Sequence, residues 1–588
     1  MLIKLPQNKQ WSQTNTGDLL GALNASRNID LDIPGILRLA QRTKYVGQTS
    51  SGNYTYAHNI LMYNQKYYIC STRMFSMTRG LSSFAEDVSA NAPSSGPITD
   101  GCIWNGAMYV SKTSRISKLS GSTWTQDWSS ADFANTGSSF PHPIEPNVKN
   151  TDVLVGDGNL LKKCDSSGTI TTAVTFPSNY VINWIRRGTT VNYIGLNEAY
   201  GGTGAVGILD GLATTLEANS IIPINATTPL SGVLDDEGVL HILQSDGRLM
   251  RFNGGGFSYE AELPPYRDYL LRADWGGSLT LQNRVLNRGM KMIRGRIHIA
   301  ITTLFSSIRS PKFFDGGWVY DKDNKAFYHK YCPSNANTVV DYGECETTAV
   351  SSLSPIYEGG GENDSNYVDP TASVGGGILF GAYVASANQA TSYRNLLSAT
   401  TGENRGQFTL NRIESPNILD TNIAIWCKYQ GVSTSTDKIL FKYRTKYRDP
   451  ISILSTGITW SSTTVFTSTS SSWASVEVGD EVTILSGNGA GSTAHIVSIS
   501  YSAPTYTITL DEAITGISAT YDGNVLIENF KKIPGTITYT DTAGYKKLSI
   551  PKVTNSTWLQ IKGELRGEGG VVGIQELQIV KNEFQKAS

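Results

Sequence analysis

From about residue 59 to about residue 398, short runs of alternating apolar and polar residues are separated by tight turns, and the unit recurs about every 40–50 residues. The recurrence is legible in IWNGAMYVSKTSRISKLSGSTW (103–124), LVGDGNLLKKCDSSGTITTAV (154–174) and VLDDEGVLHILQSDGRLMRF (233–252). A period of that size marks propellers and solenoids. Asn105-Gly106, Asp157-Gly158, Asp246-Gly247, Asn253-Gly254 and Asp315-Gly316 supply two-residue hairpin turns, because Asn, Asp and Gly tolerate the left-handed backbone such turns need. The pattern predicts about seven blades, with leading strands near Ile60, Cys102, Val153, Ile182, Val233, Met290 and Ile378. Long insertions at 306–316 and 357–377 break the sixth and seventh units, and insertions of that kind carry binding in many folds.

Outside that range the pattern changes. The first 58 residues are irregular, except that NIDLDIPGILRLAQRTKYV (28–46) alternates on both sides of Pro34-Gly35 and reads as strand, turn and strand. After about residue 405 the strands lengthen, as in 417–430, 437–449, 545–553, 556–567 and 572–582, and they read as a sandwich. A Ser/Thr-bordered stretch between them alternates around a Gly-rich hairpin and predicts a barrel of about five strands. The expected fold is all-β: an N-terminal docking segment (1–58), a β-propeller (59–404), and a β-sandwich (405–456 with 521–588) interrupted by a small inserted β-barrel (457–520). Only 84–90 and 385–397 offer even short helical patterns.

Composition narrows the function classes. Charged residues are 17%, against 58 Gly, 29 Tyr and 11 Trp, which suits many short strands and turns. A net charge of −1 excludes a global electrostatic grip on nucleic acid, which is not an expected partner. The amino terminus has no apolar h-region and no run approaches a membrane span, so a soluble chain made without an export signal is expected, with no membrane insertion. The six cysteines are scattered without a C-x-x-C; Cys332 and Cys345 are the one pair placed to bridge a loop, and reduced thiols are the expected state.

Candidate chemistry is sparse. Lys442, Arg444, Lys446 and Arg448 alternate with Phe441, Tyr443, Thr445 and Tyr447, which puts a basic face on one side of a strand and aromatics on the other. Such a face touches phosphate or single-stranded nucleic acid in some proteins; the favoured reading here is a solvated or interface-facing strand whose aromatic side packs on the sandwich. Trp124, Trp128 and Trp318, with Trp275, are candidate surface contacts able to stack on sugars, against the plainer reading of blade core. Asp235, Asp236 and Glu237 sit in one turn, and Asp321 and Asp323 lack the Gly and closing Glu of a calcium loop. The histidines share no ligand spacing, and 486–491 lacks the Lys-Ser/Thr of a phosphate loop. No metal, cofactor or catalytic residue is expected.

The W…G…NIDLD-x-PG-x-LRLA segment, the degenerate propeller and the ending WLQIKGELRG…IQELQIVKN resemble tail-region proteins of tailed-bacteriophage virions. The inserted VGDEVTILSGNGAG…TYTITLD module is similar to small barrels that recur in phage structural proteins. The resemblance implies a non-enzymatic virion component of the tail, tail tip or tail–fibre junction, with host-surface contact. It would be assembled in the host cytoplasm beside other tail proteins as a symmetric homo-oligomer. Under it, Trp11, Ile29, Leu31, Ile33, Ile36 and Leu37 are the candidate docking residues. The alternative is a propeller that binds or cleaves a glycan, whether virion-borne or free. Sialidase-like S-x-D-x-G-x-x-W hairpins are approached only at 122–124 and 314–318.

Overall fold

The computed structural model describes the chain from Leu2 to Lys581 apart from internal stretches, of which the longest are 5–22, 46–58, 264–286, 302–315, 332–347 and 356–377. Seven four-stranded antiparallel sheets form the blades of a propeller: 59–86, 100–125, 144–175, 180–224, 229–262, 290–331, and 348–395 completed by Thr43–Tyr45. Each inner strand packs against the next, and Thr348–Pro355 of the last blade packs back on Asn59–Tyr63 of the first, so the ring is closed. Local chemistry makes the hairpins. Asn105 (φ 46°) and Gly106 (φ 73°) both adopt the left-handed backbone of a two-residue turn between Asp100–Trp104 and Ala107–Ser111. Close packing makes the joints: Gly195 lies flat against the Trp184 indole, where a Cβ would overlap the ring.

Some expectations are corrected. The leading strands of blades three and seven are Ile144–Pro146 and Thr348–Pro355, so Val153 and Ile378 open second strands instead. Gly316 opens the strand Gly316–Asp321 rather than turning a hairpin, and Asp315 lies outside the described residues. Neither helical candidate is a helix where described: Ala85–Glu86 and Gln389–Asn395 are strands. Ser471–Ser475 is a 3-10 turn whose cap Ser470 accepts from the Ser472 N–H.

The sandwich draws on both ends of the chain. One sheet holds Ile29–Asp30, Leu37–Leu39, Gly573–Lys581, Ile423–Gln430 and Tyr545–Ile550, with Leu2–Lys4 on Gly573–Lys581. The facing sheet holds Leu23–Arg27, Asn404–Leu410, Trp558–Gly567 and Lys438–Arg444. Its core joins Ile29, Leu37, Ile425, Phe441, Ile561 and Leu577 to Ile293, Ala300, Val319 and Tyr328 of blade six, so propeller and sandwich share one apolar core. The insert is a curled seven-stranded sheet running from Ile451–Ile453 to Val525–Glu528 around Trp460, Phe466, Trp473 and Val482, where about five strands were expected. A bulge between Ile496 and Ser498 bends the strand Thr493–Ser502, so that its start pairs with Glu481–Ile484 and its end with Thr505–Leu510.

Candidate functional site

The propeller axis is crossed by charge. Arg288, just before the inner strand of blade six, reaches over the ring to blades two and three. Its Nε lies 2.9 and 3.1 Å from the two Asp100 carboxylate oxygens, and its Nη2 donates to Ile144 O (2.7 Å) and to Glu145 (2.6 Å). Asp100 also accepts from Asn59 Nδ2 and from the backbone N–H groups of Gly101 and Ile144. Arg186 of blade four donates to the Gly232, Ile185 and Asn287 carbonyls and meets no carboxylate among the described residues. Half-buried Lys291 completes the cluster, and no hydrogen bond or ion pair reaches its ammonium among the described residues.

Electrostatics follow from that inventory. Burial, then the Arg288 and Arg186 charges, lower Lys291 to about 7. Burial, then Arg288, lowers Arg186 to about 9. Burial acts on Arg288 in the same sense, but Asp100 and Glu145 outweigh it and hold the guanidinium charged. Among the described residues, both carboxylates of the axis therefore serve one guanidinium. The neighbouring Cys70 and Cys102 are buried thiols pushed well up by desolvation, the opposite of a reactive thiolate.

A second cluster locks blade five to blade six. His241 Nε2 lies 3.0 Å from Asp235, Lys322 lies 3.3 Å from the same carboxylate, and Tyr320 donates to Glu260 at 2.8 Å. Asp235 also accepts from the Glu237 and Val239 N–H groups, which makes it the organiser of its turn. Burial raises its carboxyl, but His241, Val239 and Lys322 outweigh that and hold it below the usual range.

The third concentration of charge lies between the sandwich and the insert. Lys442 sits 2.5 Å from Glu481 and 2.6 Å from Glu564; Lys562 lies 3.0 Å from Glu481 and 2.9 Å from Glu528. Arg566 pairs with Glu564 at 2.6 Å and Glu512 at 2.8 Å, and Lys532 with Asp511 and Glu512. The strand Trp558–Gly567 explains this placement. Its Leu559, Ile561 and Leu565 enter the sandwich core, and the alternate Lys562, Glu564 and Arg566 face the insert. Burial raises Glu481, but Lys442 and Lys562 hold it at about 2; Arg566 does the same for Glu512.

The predicted site residues are largely absorbed by these contacts. The docking assignment is corrected for Ile29, Leu31 and Leu37, which are buried in the chain's own sandwich core: Leu37–Leu39 pairs with Gly573–Lys581 and Ile29–Asp30 pairs in turn with Leu37–Leu39; Ile36 is half-buried beside Gly573. Trp11 and Ile33 lie outside the described residues, as do Trp275, Cys332, Cys345 and 486–491. Trp124 (2% exposed) and Trp318 (1%) are blade core, not surface contacts, and half-buried Trp128 packs on Tyr109 under the Lys118 ammonium. The basic strand face, read as solvated or interface-facing, lies against the chain's own insert and sandwich. Lys442 is 1% exposed between two glutamates, Arg444 binds Gln560 and stacks on Phe530, and Arg448 pairs with Asp480; Lys446 alone of the four is exposed.

No protein-family model and no curated protein matches the chain. Among solved structures it is similar to virginiamycin B lyase from Staphylococcus aureus at 10% identity and a TM-score of 0.38, over 60% of this chain and 99% of that one. It is also similar to the extracellular domain of a hybrid two-component system from B. thetaiotaomicron (12%, TM-score 0.37, 73% of this chain and 45% of that one). A third likeness is to YCF48 bound to D1 peptide, at 8% identity and a TM-score of 0.36, over 62% and 98% of the two chains. Likenesses of this size bear on the fold alone.

Sequence reasoning missed the axis and half of the seam. Arg288 and Asp100 are 188 positions apart and belong to no motif. The seam did leave a signal: between 559 and 566 apolar Leu, Ile and Leu alternate with Lys, Glu and Arg, a strand with one apolar and one charged buried face.

Proposed function

We propose that the chain is a non-enzymatic structural part of a tailed-phage particle, in the tail, the tail tip or the tail–fibre junction. The observation that carries the reading is the way the fold closes on its own amino terminus. Strands before residue 46 join both sandwich sheets and also complete blade seven, so the ring, the sandwich and both ends of the chain are tied together. Such interlocking suits a protein held under mechanical load. The resemblance of the amino-terminal segment, the insert and the closing strands to tail-region proteins supports the same reading. Neighbouring tail proteins and further copies of the chain would then be its partners, arranged around the tail axis.

Immunogold electron microscopy of particles, with antibody raised against the chain, tests this. Gold at the neck, tail or tip is the expected result. Unlabelled particles, with all antigen free in solution, would overturn the structural reading.

One observation favours glycan contact as a second reading. On the outer face of the sandwich, Trp426 (37% exposed) and Tyr545 (59%) stack with ring centroids 6.2 Å apart, and Lys547 lies 5.6 Å from the Trp426 ring. Exposed rings beside polar groups are what sugar faces stack on. Binding of host-surface glycans that is abolished in Trp426→Ala would support it; equal binding by that variant would sink it.

A further inference from the structure

Among its described residues, the axis of the propeller holds more positive than negative charge: three cations (Arg186, Arg288 and Lys291) share it with two carboxylates, Asp100 and Glu145. Both carboxylates are engaged by Arg288, which leaves Arg186 with backbone carbonyls and Lys291 with no partner. A second observation points the same way. The side-chain amide of Asn287, a residue only 7% exposed, has a donor nitrogen without a hydrogen-bond partner, and the same residue's carbonyl binds Arg186 and Ser231. Buried donors and buried charge without acceptors are costly unless something completes them.

We infer that the propeller axis is a binding site for a small oxyanion of the sulfate, phosphate or carboxylate class, held by Lys291 and Asn287 beside the Arg186 guanidinium. The anion supplies the negative charge that the described residues of the axis do not. It accepts from the ammonium and the amide, and charge-assisted bonds of that kind are about twice as strong as neutral ones. Because Arg186 belongs to blade four and Asn287 and Lys291 lie just before and on the inner strand of blade six, the anion also ties these blades across blade five. The inference does not depend on the virion reading.

Isothermal titration calorimetry of the full chain with sodium sulfate at fixed ionic strength tests it, and inorganic phosphate and acetate runs distinguish the sources. The expected result is a saturable single-site heat, weakened about tenfold or more in Lys291→Met. Lys291→Arg retains the charge and should retain binding, and Lys66→Met, at an exposed strand position, should leave it unchanged. The groups facing Lys291 are Arg186, Arg288, Asp100, Glu145 and Cys70. As the ammonium loses its proton on raising the pH through neutrality, sulfate, which stays dianionic, should bind more weakly. No saturable heat with any of the three anions, equal affinity in Lys291→Met, or equal loss in Lys66→Met would each overturn the site.

Discussion

The sandwich–insert seam and the propeller axis both bury charge between β-elements, and they balance it differently. At the seam, Arg405, Lys442, Lys532, Lys562 and Arg566 meet Glu481, Asp511, Glu512, Glu528 and Glu564, five against five. Each carboxylate there serves one to three cations. At the axis, among the described residues, Arg288 takes both carboxylates, while Arg186 is left with backbone carbonyls and the Lys291 ammonium with no partner, so that three cations stand against two carboxylates. A balanced buried network is explained by assembly alone, since it satisfies its own members and fixes one docking geometry. An unbalanced one is not, and the leftover charge is what marks the axis as a place for a ligand.

The sharpest break of this contrast is to unbalance the seam. Glu564 is fully buried and neutralises Lys442, Arg566 and Arg405, so Glu564→Gln should destabilise the sandwich and insert by about 5 kcal/mol, the upper end for breaking a buried pair. Urea unfolding followed through the buried Trp460 and Trp473 reads this directly. Replacing Lys442, Glu481, Glu564 and Lys562 together with Arg405 and Glu528 by apolar residues of similar volume, which leaves Arg566 paired with Glu512, should cost far less, within about 2 kcal/mol of the parent. Such a variant as unstable as Glu564→Gln would mean that packing, not charge balance, decides the seam. At the axis, Asp100→Asn should cost about 3 kcal/mol, because Glu145 remains to partner Arg288. It raises the cation excess from one to two, so the same variant should bind sulfate more tightly. Weaker sulfate binding in a folded Asp100→Asn protein would contradict the charge count.

These two regions also differ in how much of them could be read beforehand. Hairpins were legible because their signal is local: Asn105-Gly106 turns one strand into the next with nothing distant involved. The inner strand Ile144–Pro146 was not, since three residues preceded by Pro143 and ending in Pro146 carry too little alternation to compete with Val153 as the leading strand, and blade four packs on them. Leu37 read as a docking residue because its partner, Ile574, is more than half the chain away, and non-local pairing leaves no trace in a local pattern. Lys442 was correctly placed on a basic strand face, but what covers that face is decided by Glu481 and Glu564 in two other segments. The unit most repeated along the chain was thus the most legible. The sites that depend on single charges meeting across the ring were the least.

The smallest predicted effect separates the two regions by pH. At the seam, the folded-state values of Glu481 and Glu512 are depressed to about 2, and that of Glu564 lies well below its ordinary value. Depressed carboxylates contribute stability that is present above the ordinary value near 4.5 and lost as the pH falls toward about 2, some 2 kcal/mol per fully buried group. Lys291 is depressed from 10.5 to about 7, which for a cation has the reverse meaning: folding disfavours its charged form. Below about 7 that penalty is complete. Between about 7 and 10.5 the unfolded chain binds the proton that the folded one has released, so stability rises with pH by roughly 1 kcal/mol for this half-buried group. Hydrogen exchange measured by mass spectrometry from pH 6 to 9 should therefore show protection growing in the inner strands of blades four to six while 481–484 and 558–567 stay level, once rates are corrected for intrinsic exchange. Saturating sulfate should flatten the axial slope, because a bound anion keeps Lys291 charged in the folded state, whereas Lys291→Met should remove the slope altogether. An axial slope that survives in Lys291→Met would assign the titration to another group and separate the leftover charge from the stability of the ring.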